Sequence, residues 1–345
     1  MSDTALLLPS DVLHDETHRA VSLPVCDHYC GVEKRIRKAL ALQREMLDEY
    51  GEALFDVTLD CEDGAPAGAE AAHAAMVVEL AREALQQDAR ARIAVRIHPA
   101  DHPAHASDIA TIAPHVGASL CHVMLPKVET LEEVERTLAA LDAACPARPL
   151  PLHVLLESPL GIAHALQFAA HPRVQSISFG LMDFVSAHQG AIDASAMTME
   201  GQFSHPQVVR AKLTLAAACH AYGKTPSHCV VTEFRNSAAI QAAARRAARE
   251  FAYTRMWSIH PDQIRPILAA FRPEADEIAT AAEILLAAQQ AHWAPIRHRD
   301  TLHDRASYRY YWHVLQRARH TGATIPTPAQ TLFAPAPANG NTAPR

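Results

Sequence analysis

No apolar run in this chain of 345 residues approaches the roughly 20 residues a membrane-crossing helix needs. The opening "ALLLP" is too short for the core of a signal peptide. Neither a membrane nor a secretory address is expected, and a cytoplasmic one is the default. A basic stripe is also missing. The 31 Lys and Arg are scattered and outnumbered by 38 Asp and Glu, for a net charge of -7, so nucleic acid is not an expected partner. There is no disulfide framework either: seven cysteines, an odd count, sit in apolar surroundings such as "LDCED" and "AAACHAYG" and read as buried thiols. No glycine-rich phosphate turn follows the first strand-like run, which counts against a doubly wound open sheet.

What the chain does have is 49% hydrophobic residues and a regular alternation of short strand-like runs with helical stretches. The eight runs are "ALLLPS", "LFDVTLD", "RIAVRIH", "CHVMLPK", "LHVLLES", "SISFGLM", "SHCVVTE" and "TRMWSIH". Between them, segments such as "GAEAAHAAMVVELAREALQQ" and "NSAAIQAAARRAAREFAYTR" carry apolar residues at helical spacing. Eight such units in about 250 residues match the size and rhythm of a TIM (β/α)8 barrel. The spacing predicts a barrel domain over 1–290 with a long first connection from Asp11 to Tyr50, a helical lid segment over 291–326, and a disordered Pro- and Ala-rich tail over 327–345. In "PVCDHYCGVE", Cys26, His28 and Cys30 could hold a metal. No second pair at zinc-site spacing accompanies them, and a packed loop or helix start is the expected reading.

Active sites of such barrels lie at the C-terminal ends of the strands, and polar groups end these runs in number. "FDVTLDCEDGAPAG" puts Asp56, Thr58, Asp60 and Glu62 on one face and Val57, Leu59 and Cys61 on the other, with Asp63 following. Alternation in "RIAVRIH" turns Arg96 and His98 inward. Lys127 and Glu129 end the fourth run, Glu157 ends the fifth, and Asp183 follows the sixth. Inward carboxylates need a cation and an inward arginine needs an anion. Ion pairing of Arg96 with the strand-two acids would satisfy part of the set. The excess of acids leaves room for a hard divalent ion with oxygen ligands, magnesium first.

"LDCEDGA", "VRIHP", "MLPKVE", "LLESPLGIAHA", "SFGLMDF" and "WSIHPDQI", in that order and at these separations, resemble the HpcH/HpaI aldolase and citrate lyase beta subunit family, which includes malyl-CoA and citramalyl-CoA lyases. The resemblance covers Leu6 to about Gln290. It implies a modified TIM barrel assembling as a trimer or hexamer, Mg2+ bound by Glu157 and Asp183, Glu62 and Asp63 orienting metal-bound water and the arginine, Lys127 near the substrate, and Arg96 facing the developing enolate. In the similar lyases an acid from the segment after the barrel moves a proton. "LHDRASYRYYW" holds that place, and Asp304 is the candidate, with capping of the next helix as a compatible role.

The chain also departs from the family pattern. Members commonly open the first strand with an arginine and an aromatic residue, and carry Asn where this chain has His98. The stretch "CDHYCGVEKRIRK" and the loop "DFVSAHQGAIDASAMTMEGQFSHP" lie where a CoA thioester would thread, which leaves CoA use open. Lys34, Arg35 and Arg37 could meet CoA phosphates or form a solvated helix face. The implied activity is magnesium-dependent cleavage or formation of a 3-hydroxyacyl-CoA, giving an oxoacid and an acyl-CoA. An aldolase on free hydroxy-oxoacids or a thioester hydrolase would use the same pocket, and a noncatalytic dicarboxylate- or CoA-binding protein is the reading from another class.

Overall fold

A computed structural model describes residues 7–13, 23–64 and 67–333. These fall into two compact units, one of residues 23–271 and one joining residues 7–13 to 272–333. The larger unit is a closed barrel of eight parallel strands in sequential order. The strands are β1 (Cys26–Cys30), β2 (Phe55–Asp60), β3 (Ile93–Arg96), β4 (Val123–Leu125), β5 (Leu152–Leu156), β6 (Val174–Phe179), β7 (Thr225–His228) and β8 (Arg255–Ser258). Closure is made by β1, which pairs Cys26 with Phe55 of β2 on one side and with Met256 of β8 on the other.

Two of the expected strands need correction. The first is not "ALLLPS", of which residues 5 and 6 lie outside the described residues and whose end opens the helical turn Pro9–Val12. Its place is taken by "CDHYC", so Cys26, His28 and Cys30 belong to a strand and not to a loop or helix start. Both thiols are buried in the core, and the His28 ring meets Ser258 Oγ at 2.8 Å. The seventh strand lies earlier than "SHCVVTE" and includes Pro226. The other six runs coincide with strands.

Alternation sorts the strand side chains as expected. Ile93, Val95, Val57 and Leu59 pack outward with the surrounding helices into one core. Inside, the side chains form layers. Tyr29, Met124, Leu155 and Trp257 make an apolar middle layer, with Tyr29 and Trp257 edge to face at 4.8 Å. Below it, at the N-terminal ends of the strands, lies an ionic plug. The fully buried Arg255 bonds Asp56 at 2.6 Å and Asp27 at 2.8 Å, Thr58 donates to Asp27 at 2.6 Å, and Arg92 pairs with Asp56.

Helices cover the barrel and end where the sequence says they should. Thr130 and Glu133 form a capping box at the helix Leu131–Ala144. Gly51, at φ 77, closes the helix Glu33–Tyr50 in the left-handed conformation.

The smaller unit contains the helices Ala275–Gln290 and Arg305–His320 around a core of Trp293, Tyr308, Leu285 and Leu315. The hairpin β9 (Ile296–His298) and β10 (Thr301–His303) also belongs to it. The helix Ala275–Gln290, expected at the end of the barrel, therefore packs in this unit. Thr327–Gln330 of the expected tail is a short helix, and residues 334–345 lie outside the described residues. Among the described residues no helix is long and apolar enough to cross a membrane.

Candidate active site

At the C-terminal ends of the strands, the acids of β2 and the arginine of β3 form one cluster. Register pairs Asp60 with Arg96 on neighbouring strands, and the two make parallel hydrogen bonds from Arg96 Nε and Nη2 at 2.7 and 2.6 Å. Nη2 also reaches Asp63 at 2.7 Å, and Nη1 pairs with Glu62 Oε2 at 2.6 Å. Arg96 is thus shared among three carboxylates, with its Cζ 5.5 Å from the Tyr29 ring centre. The acidic turn is held down by backbone contact: a Cβ on Gly31, just past β1, would lie 2.2 Å from Gly64 Cα, and His73 Nε2 meets Asp60 O at 2.8 Å.

Beside this cluster, Glu157 follows β5. Its Oε1 accepts from the Lys127 backbone at 3.0 Å, and Lys127 has φ 54, a left-handed conformation uncommon outside glycine. Lys127 Nζ bonds Glu62 Oε1 at 2.5 Å. Gly180 leaves room for Glu157, since a Cβ there would sit 2.5 Å from Oε2. Asp183 is exposed on the short helix Leu181–Ser186 that opens beside Gly180. Burial, then the charges of Glu62 and Asp183, push the Glu157 carboxyl up to about 8, against the opposing pull of Lys127 and Arg96. Glu62 is raised mainly by burial.

Two cations, Arg96 and Lys127, therefore face five carboxylates: Asp60, Glu62, Asp63, Glu157 and Asp183. Glu62 Oε2 is buried and makes no hydrogen bond, although it is ion-paired with Arg96. An electron-rich oxygen set that is short of positive charge suits a hard divalent cation. The residues present fit Mg2+.

The plug at the other end of the barrel also contains donor groups within 4.8 Å of one another, Asp27 with His122 and His153, and Asp56 with Cys121 and His122. The first group is poorly built for an ion. The His122 and His153 rings stack at 3.5 Å and 12°, so their in-plane lone pairs run parallel and do not converge, and the Asp27 oxygen nearest His122 already pairs with Arg255. Burial works against the charge on Asp27, yet Arg255 and His122 hold its carboxyl below the usual range.

The remaining candidates are dispersed. His98 turns from the cluster to Asp108 of the helix His105–Val116, at 2.6 Å, and stacks on His102; the inward orientation expected for it does not occur. Arg37 is engaged by Glu33 and Glu83 on the helix surface. Asp304 lies in the smaller unit as the N-cap of the helix Arg305–His320, its Oδ1 accepting from Ala306 and Ser307 at 2.9 and 3.3 Å. Tyr29, under Arg96 with a buried hydroxyl lacking a hydrogen-bond partner, is not among the expected site residues, because "ALLLPS" is the stronger local pattern for a first strand.

Residues 40–261 match the model of the HpcH/HpaI aldolase/citrate lyase family. The chain belongs to this family. Among solved structures, a citrate lyase from Burkholderia xenovorans LB400 is 48% identical with a TM-score of 0.80, over 95% of this chain and 100% of that one. CitE of Mycobacterium tuberculosis, solved with magnesium, acetoacetate and coenzyme A, shares the fold at 20% identity and a TM-score of 0.61, over 86% of this chain and 98% of its own. An L-malyl-CoA/beta-methylmalyl-CoA lyase of Cereibacter sphaeroides is 31% identical over 213 residues, 58% of this chain and 66% of the lyase, just under two thirds of its length.

Proposed function

We propose that this member of the HpcH/HpaI aldolase/citrate lyase family is a magnesium-dependent carbon–carbon lyase acting on a 3-hydroxyacyl-CoA of the malyl-CoA or citramalyl-CoA type. The observation that carries the reading is the charge-deficient carboxylate set at the mouth of the barrel, Glu157 and Asp183 beside Glu62 and the Arg96–Asp60 pair. Magnesium in the CitE complex and the malyl-CoA activity named for the Cereibacter relative support it. Glu157 and Asp183 would hold Mg2+ directly, with Glu62 and Asp63 around it. When bound, the ion supplies Lewis-acid polarisation of substrate oxygens.

In cleavage the substrate hydroxyl loses its proton, the bond between the carbinol carbon and the thioester α-carbon breaks, and its electron pair enters the thioester enolate. Protonation of the α-carbon completes an acyl-CoA beside an oxoacid. Arg96 presents fixed positive charge to the developing enolate. Its orientation is set by Asp60. Asp304 is proposed as the proton carrier, delivered from a neighbouring subunit of a trimer or hexamer. Arg96 also balances charge at the substrate end.

The test is product analysis with malyl-CoA and citramalyl-CoA, with Mg2+ and with chelator. An oxoacid appearing with acyl-CoA only in Mg2+ supports a lyase. Free CoA in place of acyl-CoA would make the protein a thioester hydrolase, and turnover of free hydroxy-oxoacids alone would make it an aldolase without CoA.

A further inference from the structure

Lys127 and Arg96 are the two cations of the carboxylate set, and they are held very differently. The Arg96 side chain is 6% exposed and bonded to three acids, two of them equally buried. Its removal from the cluster would strand those charges. The Lys127 side chain is 45% exposed and touches the set through one ammonium contact, to Glu62 Oε1. The same residue is anchored through its main chain, whose left-handed turn directs N–H at Glu157. Its ammonium can therefore leave for water while the backbone keeps Glu157 in place. A long, strongly hydrated side chain on a flexible stem is suited to this.

Resting on the reading of Glu157 and Asp183 as metal ligands, we propose that Lys127 is a placeholder cation, its ammonium neutralising Glu62 in the metal-free pocket and swinging into solvent as a divalent ion enters. Two positive charges in one set of carboxylates repel more strongly in a partly buried site than in water. The ammonium therefore weakens metal binding while neutralising the buried Glu62 carboxylate when no metal is present. Lys127 is a positioning residue, acting on the carboxylates and not on the reacting atoms.

Two measurements on the full chain test this. Calorimetric titration with Mg2+ should give several-fold tighter binding for Lys127→Met than for wild type, with Lys127→Arg close to wild type; a residue that only supported the fold would weaken binding when removed. Acetic anhydride footprinting of wild type read by mass spectrometry should show Lys127 acetylated faster with saturating Mg2+ than without it. The footprint decides the matter should Lys127→Met fail to fold. Unchanged or slower acetylation, or Mg2+ affinity in Lys127→Met equal to or below wild type, would overturn the placeholder role alone. Absence of any Mg2+ binding by wild type would overturn the metal reading and this inference with it.

Discussion

Arg96 and Asp60, adjacent across β3 and β2, form a two-bonded guanidinium–carboxylate pair at the mouth of the barrel. Such a pair fixes the plane of the guanidinium as well as its position. A lysine at 96 would keep the charge and lose the planar fork. Arg96→Lys is therefore expected to lower turnover far more than it changes the Michaelis constant, measured on the thioester substrate. A rise in the Michaelis constant alone would make Arg96 a uniform binder.

Gly180 has its own consequence. Because a methyl group there would lie 2.5 Å from Glu157 Oε2 and 2.6 Å from its Cβ, Gly180→Ala must shift the whole Glu157 side chain, carboxylate included. The variant should fold, as judged by circular dichroism, and bind Mg2+ more weakly than wild type in calorimetry.

The raised carboxyl of Glu157 fixes the sign of a pH effect. Its ordinary value of 4.5 becomes about 8 in the fold, so between these limits the native state holds a proton that the unfolded state has lost. Stability of the metal-free protein should fall as pH rises across that window. Glu157→Gln should remove this part of the slope. Thermal melts of both proteins from pH 5 to about 8 measure the difference.

Lys212 reverses the pattern. Its amine is fully buried, bonded to Gln202 O and Oε1 at 2.9 and 3.1 Å and 4.3 Å from the Phe203 ring centre. Burial lowers it from 10.5 to about 8. In that interval the unfolded state holds the extra proton, so this residue's contribution to stability rises with pH. Lys212→Met should lose that increase in denaturant melts taken at pH 8 and pH 10.

Asp304→Asn keeps an oxygen for the helix cap, and a side-chain amide caps about as well as a carboxylate. Stability should change little. If Asp304 carries the proton, turnover should fall roughly 100-fold or more with substrate binding nearly intact. Full activity in this variant would place the acid elsewhere.

Most of the barrel was legible because β2 through β6 and β8 are apolar runs broken at the turn by polar residues, and the acids, Arg96 and Lys127 stand at their ends. β1 was hidden by its own content. "CDHYC" buries Asp27 and His28, which satisfy themselves on Thr58, Arg255 and Ser258, partners far away in sequence, while "ALLLP" offers the stronger local pattern. The ionic plug was unreadable for the same reason, since Asp27, Asp56 and Arg255 meet only once the barrel closes. Asp56→Ala should cost about 3–5 kcal/mol by leaving Arg255 half-paired inside the barrel, a loss that urea unfolding would register. β7 was displaced because the apolar "CVV" continues past the strand's end.

The central claim is that Glu157 and Asp183 hold a divalent ion, and electron paramagnetic resonance with Mn2+ tests it most directly. Wild type should convert free Mn2+ to a bound form that Mg2+ displaces, and Glu157→Gln and Asp183→Asn, folded, should leave the ion free. Wild-type affinity for Mn2+ in both variants would contradict the account.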